Sequence, residues 1–90
     1  MDGTICSITN GRYEEAIPIR KNIKKINKLH DLGHNVIYWT ARGTSTGFDW
    51  RELTEKQFKE WGVRYTELRF NKPEYDYWVD DKILLMGDIL

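Results

Sequence analysis

Residues 36–43 read VIYWTARG, and this stretch decides the fold. From Asn35 to Trp39 the chain is a short run rich in β-branched and aromatic residues, with no strict alternation of polar side chains. A strand wet on one face alternates apolar and polar residues, whereas one covered on both faces need not. The run therefore predicts a buried, parallel strand that stops at Thr40. A loop of small and turn-forming residues, ARGTSTGF, follows over residues 41–48.

Working outward, IPIRKNIKKINKLHDLG on the N-terminal side predicts a helix, because Ile19, Ile23, Ile26 and Leu29 recur at three- and four-residue spacing and Leu32 extends the stripe. Pro18 suits its first turn and Gly33 the left-handed position after its end. Its lysines and Arg20 occupy the other faces, as on a solvated helix. On the C-terminal side, Asp49 with Glu52 has capping-box spacing and Gly62 is a stop, which predicts a second helix whose apolar side is Trp50, Leu53, Phe58 and Trp61. Then VRYTELRF reads as a strand, NKPEYD as a loop and YWVDD as another strand. The closing ILLMGDIL fits either a short helix or a last strand. Helices and strands alternating with short connections predict one domain over residues 1–90, a three-layer α/β fold with a mainly parallel sheet.

The composition narrows the function. Fourteen basic and fourteen acidic residues leave no net charge, which disfavours a nucleic-acid partner. Cys6 is the only cysteine, so an intrachain disulfide framework and a cysteine-based zinc site are excluded, and a reducing cytoplasm is the expected compartment. No apolar run is long enough to span a bilayer, and the N-terminal residues lack a secretory apolar core, so no membrane partner is expected.

In a parallel sheet, functional groups gather at the carboxyl ends of the strands. Thr40 follows VIYW, Lys72 lies just beyond ELRF, Asp80 and Asp81 follow YWV, and Asp2 would join them if a strand preceded it. Carboxylates, a hydroxyl and an ammonium in one crevice suit magnesium and a phosphate, since hard oxygen ligands match the ion and the two donors match phosphoryl oxygens.

These residues resemble the four motifs of the haloacid dehalogenase superfamily of aspartate-dependent phosphatases, over nearly the whole chain. DGT at Asp2–Thr4 is similar to the end of its first motif, Asp-x-Asp-Gly-Thr; VIYWT resembles the second, Lys72 in NKP the third and VDD at residues 79–81 the fourth. The resemblance implies a Rossmann-like fold and a magnesium-dependent phosphomonoester hydrolase acting through an aspartyl-phosphate. It implies that Asp2 transfers the proton of the leaving oxygen and contributes to the metal site, that Thr40 and Lys72 hold the phosphoryl group, and that Asp80 and Asp81 anchor magnesium. Gly3, Thr4, Ala41 and Arg42 are the implied substrate-binding positions. The attacking aspartate of the first motif would stand two residues before Asp2, so that carboxylate and the first central strand are expected to be missing, and the chain as given to have little activity. No segment is long enough to be an inserted cap domain. The implied substrate is a small phosphorylated molecule, a sugar phosphate or a nucleotide, at an open site or one closed by another subunit of a homo-oligomer.

Two other readings stay open. A non-catalytic phosphate- or metal-binding module would keep the same residues, while a receiver domain is disfavoured because its acid pair ends the first strand. His30 and His34 have metal-binding spacing, but Gly33 between them ends the helix, and they are assigned no role.

Overall fold

A computed structural model describes all of residues 1–90. After a 3₁₀ turn at Tyr13–Glu15 come helix α1 (Arg20–Asp31), strand β1 (Ile37–Trp39), helix α2 (Arg51–Trp61), strand β2 (Glu67–Arg69) and a 3₁₀ turn at Met86–Asp88. β1 and β2 pair in parallel with Ile37 opposite Glu67, Tyr38 opposite Leu68 and Trp39 opposite Arg69. The fold is thus α/β, a two-stranded parallel sheet with two helices. No helix is long and apolar enough to cross a membrane.

The predicted helices form because their stops are chemical. α1 ends in a Schellman arrangement, with the His34 N–H donating to the Leu29 carbonyl and that of Gly33, at φ +95°, donating to His30. Gly62, at φ +68°, ends α2 with the same pair of bonds, Val63 to Phe58 and Gly62 to Lys59. Asp49 does not open α2 in capping-box fashion: its carboxylate accepts the Arg51 N–H, and the helix begins two residues after it. Leu32 is exposed, outside the apolar stripe it was expected to extend.

The core gathers Ile5, Cys6, Ile23, Tyr38, Phe58, Trp61, Val63 and Leu68. Phe58 of α2 packs edge-on against Tyr38 of β1, ring centres 5.0 Å apart. Buried Asn27 fastens α1 to the end of α2, its amide donating to the Gly62 carbonyl at 2.8 Å and its carbonyl accepting the Arg64 N–H at 2.8 Å. A polar residue survives there because both ends of its amide are satisfied.

Residues 77–81 form no strand. Tyr77 and Val79 are 89% and 93% exposed, and no backbone bond joins this stretch to β1 or β2. Extended backbone becomes a strand only beside a hydrogen-bonding neighbour, and YWVDD has none here. The closing segment takes the helical alternative only as the Met86–Asp88 turn.

Candidate functional site

The register of β1 on β2 places the site. Because Trp39 lies opposite Arg69, both strands end at one edge of the sheet, and the loops leaving them start side by side. The Thr40 N–H donates to the Arg69 carbonyl at 2.9 Å, and the Thr40 carbonyl accepts the Lys72 N–H at 3.1 Å. Asn71 makes the turn between them with φ +62°, a conformation that asparagine tolerates better than most residues. From the next loop, the Thr44 hydroxyl donates to the Lys72 carbonyl at 3.0 Å. Thr40 and Lys72 are therefore held together through the backbone.

Asp2 reaches the same place by another route. Asp2-Gly3-Thr4 forms the expected turn, with Gly3 at φ +82° and its N–H donating to Cys6. Ile5 and Ser7 then bond to Ile19 and Ile17, which ties the turn to the lead-in of α1. A cavity of about 440 Å³ is lined by Asp2, Thr40, Ala41, Lys72, Glu74 and Tyr75, among others.

Two groups in this cavity keep donor protons to spare. The buried Thr40 hydroxyl accepts the Arg42 N–H at 3.1 Å and donates to nothing in the chain. The Lys72 ammonium has no carboxylate within 4.0 Å; its hydrogen bond goes to the Tyr75 hydroxyl at 3.3 Å, and the Tyr75 ring lies 4.9 Å away. An anion could satisfy both donors at once, whereas Glu74 on the rim adds opposing charge.

Arg42, a candidate substrate contact, instead points inward and is fully buried. Its Nη2 and Nε donate to Asp2 at 2.9 and 3.1 Å, its Nη1 to Gln57 at 2.6 Å and Thr54 at 3.0 Å, and Nη2 also faces the Cys6 thiol at 3.8 Å. All five guanidinium donors thus have partners. The Tyr13 ring covers the group at 4.7 Å from its centre. Arg42 therefore sets how the Asp2 carboxylate is presented and does not line the cavity beside Lys72. Of the other candidate substrate contacts, Ala41 lines the cavity, Gly3 lies outside it, and Thr4 borders a neighbouring groove and gives its carbonyl to Asn22.

Asp80 and Asp81 are exposed and line none of this cavity; hydrogen bonding to Asp81, first from its side chain and then from the backbone N–H that the Asp80 carboxylate accepts, holds the Asp80 pKa below the usual carboxylate range. No three His, Cys, Asp or Glu side chains cluster closely enough to hold a metal ion. With Asp2 taken up by Arg42, the residues as arranged do not fit magnesium, which needs several converging oxygens.

Two consequences of this geometry are measurable. Burial, reinforced by the Asp2 carboxylate, pushes the Cys6 thiol up to about 11. At pH 8 about one such thiol in a thousand is ionised. Iodoacetamide should therefore modify Cys6 very slowly in the folded chain and rapidly in urea; equal rates would mean that the thiol is not enclosed. Gly43, following Arg42, has φ +83°, and a Cβ there would run into the Phe48 carbonyl. Gly43→Ala should cost about 2 kcal/mol and lower Tm by roughly 8–16 °C, whereas Gly47→Ala, in open space, should cost about 1 kcal/mol through φ alone.

No family model and no curated protein matches this sequence. Among solved structures, the crystal structure of an MCSG target from Vibrio cholerae is similar, with a TM-score of 0.85 at 20% identity over 97% of this chain and 80% of that one. At that identity the likeness is one of fold.

Proposed function

We propose that the chain is the phosphoryl-binding body of a phosphomonoester hydrolase of the haloacid dehalogenase type. The observation that carries the reading is the convergence of Asp2, Thr40 and Lys72, distant in sequence, on one cavity at the carboxyl ends of the parallel strands. Thr40 donates its free hydroxyl proton and Lys72 its ammonium to the non-bridging oxygens, offsetting the charge of the transferring group. Asp2, oriented by Arg42, is the group placed to handle the proton of the leaving oxygen. Magnesium dependence belongs to this reading through Asp80 and Asp81, but no step is assigned to the ion, because the carboxylates are not gathered.

The finer architecture in this reading is a three-layer Rossmann-like sheet with one more strand beside β1. In a parallel ladder both backbone groups of a residue point to the same side, and alternate residues point oppositely. Val36 and Thr40 face β2, so Ile37 and Trp39 turn their N–H and C=O groups to the other edge, where nothing in the chain bonds them. That edge borders a mainly apolar groove of about 350 Å³ lined by Ile26, Val36, Ile37, Trp39 and Trp78 among others.

The test is phosphate binding. Titrated by NMR with inorganic phosphate, the chain should shift Thr40 and Lys72 first, and Lys72→Ala should weaken binding about tenfold or more, as loss of a charge-assisted hydrogen bond does. Unchanged affinity in Lys72→Ala would sink the assignment. A phosphate-binding module without catalysis passes the same test and is separated from a hydrolase by turnover.

A further inference from the structure

We propose that this cavity takes its phosphate on a flat aromatic carrier, a phosphomonoester such as a nucleoside monophosphate, whose ring lies against Tyr75. The inference rests on the phosphate-binding reading of Thr40 and Lys72 and adds the chemistry of the attached group.

Trp39, Tyr75 and Trp78 form a second aromatic cluster, separate from the core around Phe58. Trp39 and Trp78 meet edge to face at 6.0 Å, and Tyr75 and Trp78 at 5.4 Å. Phe58 is closed off, yet Tyr75 is 52% and Trp78 46% exposed. Large exposed aromatics set side by side mark recognition surfaces more often than accidents of packing. Their position gives the geometry: the Lys72 ammonium lies 4.9 Å from the Tyr75 ring centre and 5.8 Å from that of Trp78. An anion bound at Lys72 therefore brings the group it is esterified to beside Tyr75, which lines the same cavity, while Trp78 lines the adjoining groove.

The polar groups around the rings argue against a polyhydroxylated carrier. Recognition of a sugar needs side-chain donors and acceptors placed around its hydroxyls. Here Asp2 is held by Arg42 and the Trp39 indole N–H by the Phe70 carbonyl, which leaves the Glu74 carboxylate and the Tyr75 hydroxyl proton as the side-chain groups at that rim free to meet hydroxyls. A base needs only a π-face to stack, and every base has one. A cavity of about 440 Å³ lies within the range of small-molecule sites.

The experiment uses the ninety-residue chain, with tryptophan fluorescence and NMR shifts as readouts and adenosine monophosphate, phenyl phosphate, glycerol 3-phosphate, inorganic phosphate and adenosine as probes. Adenosine monophosphate and phenyl phosphate should each bind about tenfold or more tighter than glycerol 3-phosphate, the gain that stacking on an aromatic ring supplies. Tyr75→Ala should erase that preference and leave inorganic phosphate within twofold, while Tyr75→Phe should keep the preference. If glycerol 3-phosphate binds as tightly as the two ring-bearing esters, the aromatic carrier is overturned and the phosphate site stands. If adenosine binds as tightly as its monophosphate, or if Lys72→Ala binds every ester as before, the phosphate site itself is overturned.

Discussion

A chain extended upstream by about eight residues, forming an apolar strand with aspartate two positions before Asp2, should hydrolyse a small aryl phosphate with magnesium several powers of ten faster than residues 1–90 alone. Removing a covalent nucleophile costs on the order of 10⁴–10⁶ in turnover, and supplying one should return a comparable factor. In the proposed reading this strand lies beside β1. Ile37 and Trp39 present unpaired backbone groups along the free edge of β1, and the groove beside them is apolar. Magnesium affinity should then appear together with activity, be lost in Asp80→Asn and Asp81→Asn, and be accompanied by a rise in Tm. The same extension with asparagine at the new position should give the rise in Tm without the turnover. If the ninety residues already hydrolyse the ester at ordinary enzyme rates, and Asp2→Asn leaves the rate unchanged, this account of the nucleophile is wrong.

The parts of this molecule that could be read from sequence are those fixed by local chemistry. Gly33 and Gly62 end helices because only a residue at ease with positive φ completes the closing bonds, and both were legible as stops. VIYWT was legible as a strand ending at Thr40, although of β1 only Tyr38 is buried and Ile37 is 45% exposed, and the order strand, helix, strand implied the parallel register that brings Lys72 beside Thr40. Tyr77–Val79 has the composition of a strand too, but strandedness depends on a neighbour, which composition does not encode. Arg42 escaped for a different reason. After Thr40 in a loop, a guanidinium reads as a ligand contact, and its burial depends on acceptors contributed by residues 2, 54 and 57. A signal for it existed: Thr54 and Gln57 stand at helical spacing with Phe58 and Trp61, on the face that turns to the core. Polar residues in such a stripe require a buried polar partner.

Arg42→Ala should be among the most destabilising single substitutions in the chain. The side chain has no solvent contact and donates to Asp2, Thr54 and Gln57, so its loss strands a carboxylate, an amide oxygen and a hydroxyl together. Breaking a buried ion pair from one side costs about 3–5 kcal/mol. The Asp2 side chain is 21% exposed and can recover some hydration, which places the expected loss near the lower figure, about 3 kcal/mol. For a domain of this size that is a fall in Tm of roughly 12–24 °C. Arg42→Lys should lose much of the same stability, because one ammonium cannot serve Asp2 and Gln57 from a single point. Arg42→Ala and Asp2→Ala should be strongly non-additive, since the second removes the charge that the first strands. A substrate-contacting arginine would behave in the opposite way, with phosphate affinity falling and Tm holding. If Arg42→Ala melts within about 3 °C of the parent chain, a shift worth less than 1 kcal/mol, the buried network does not carry the fold.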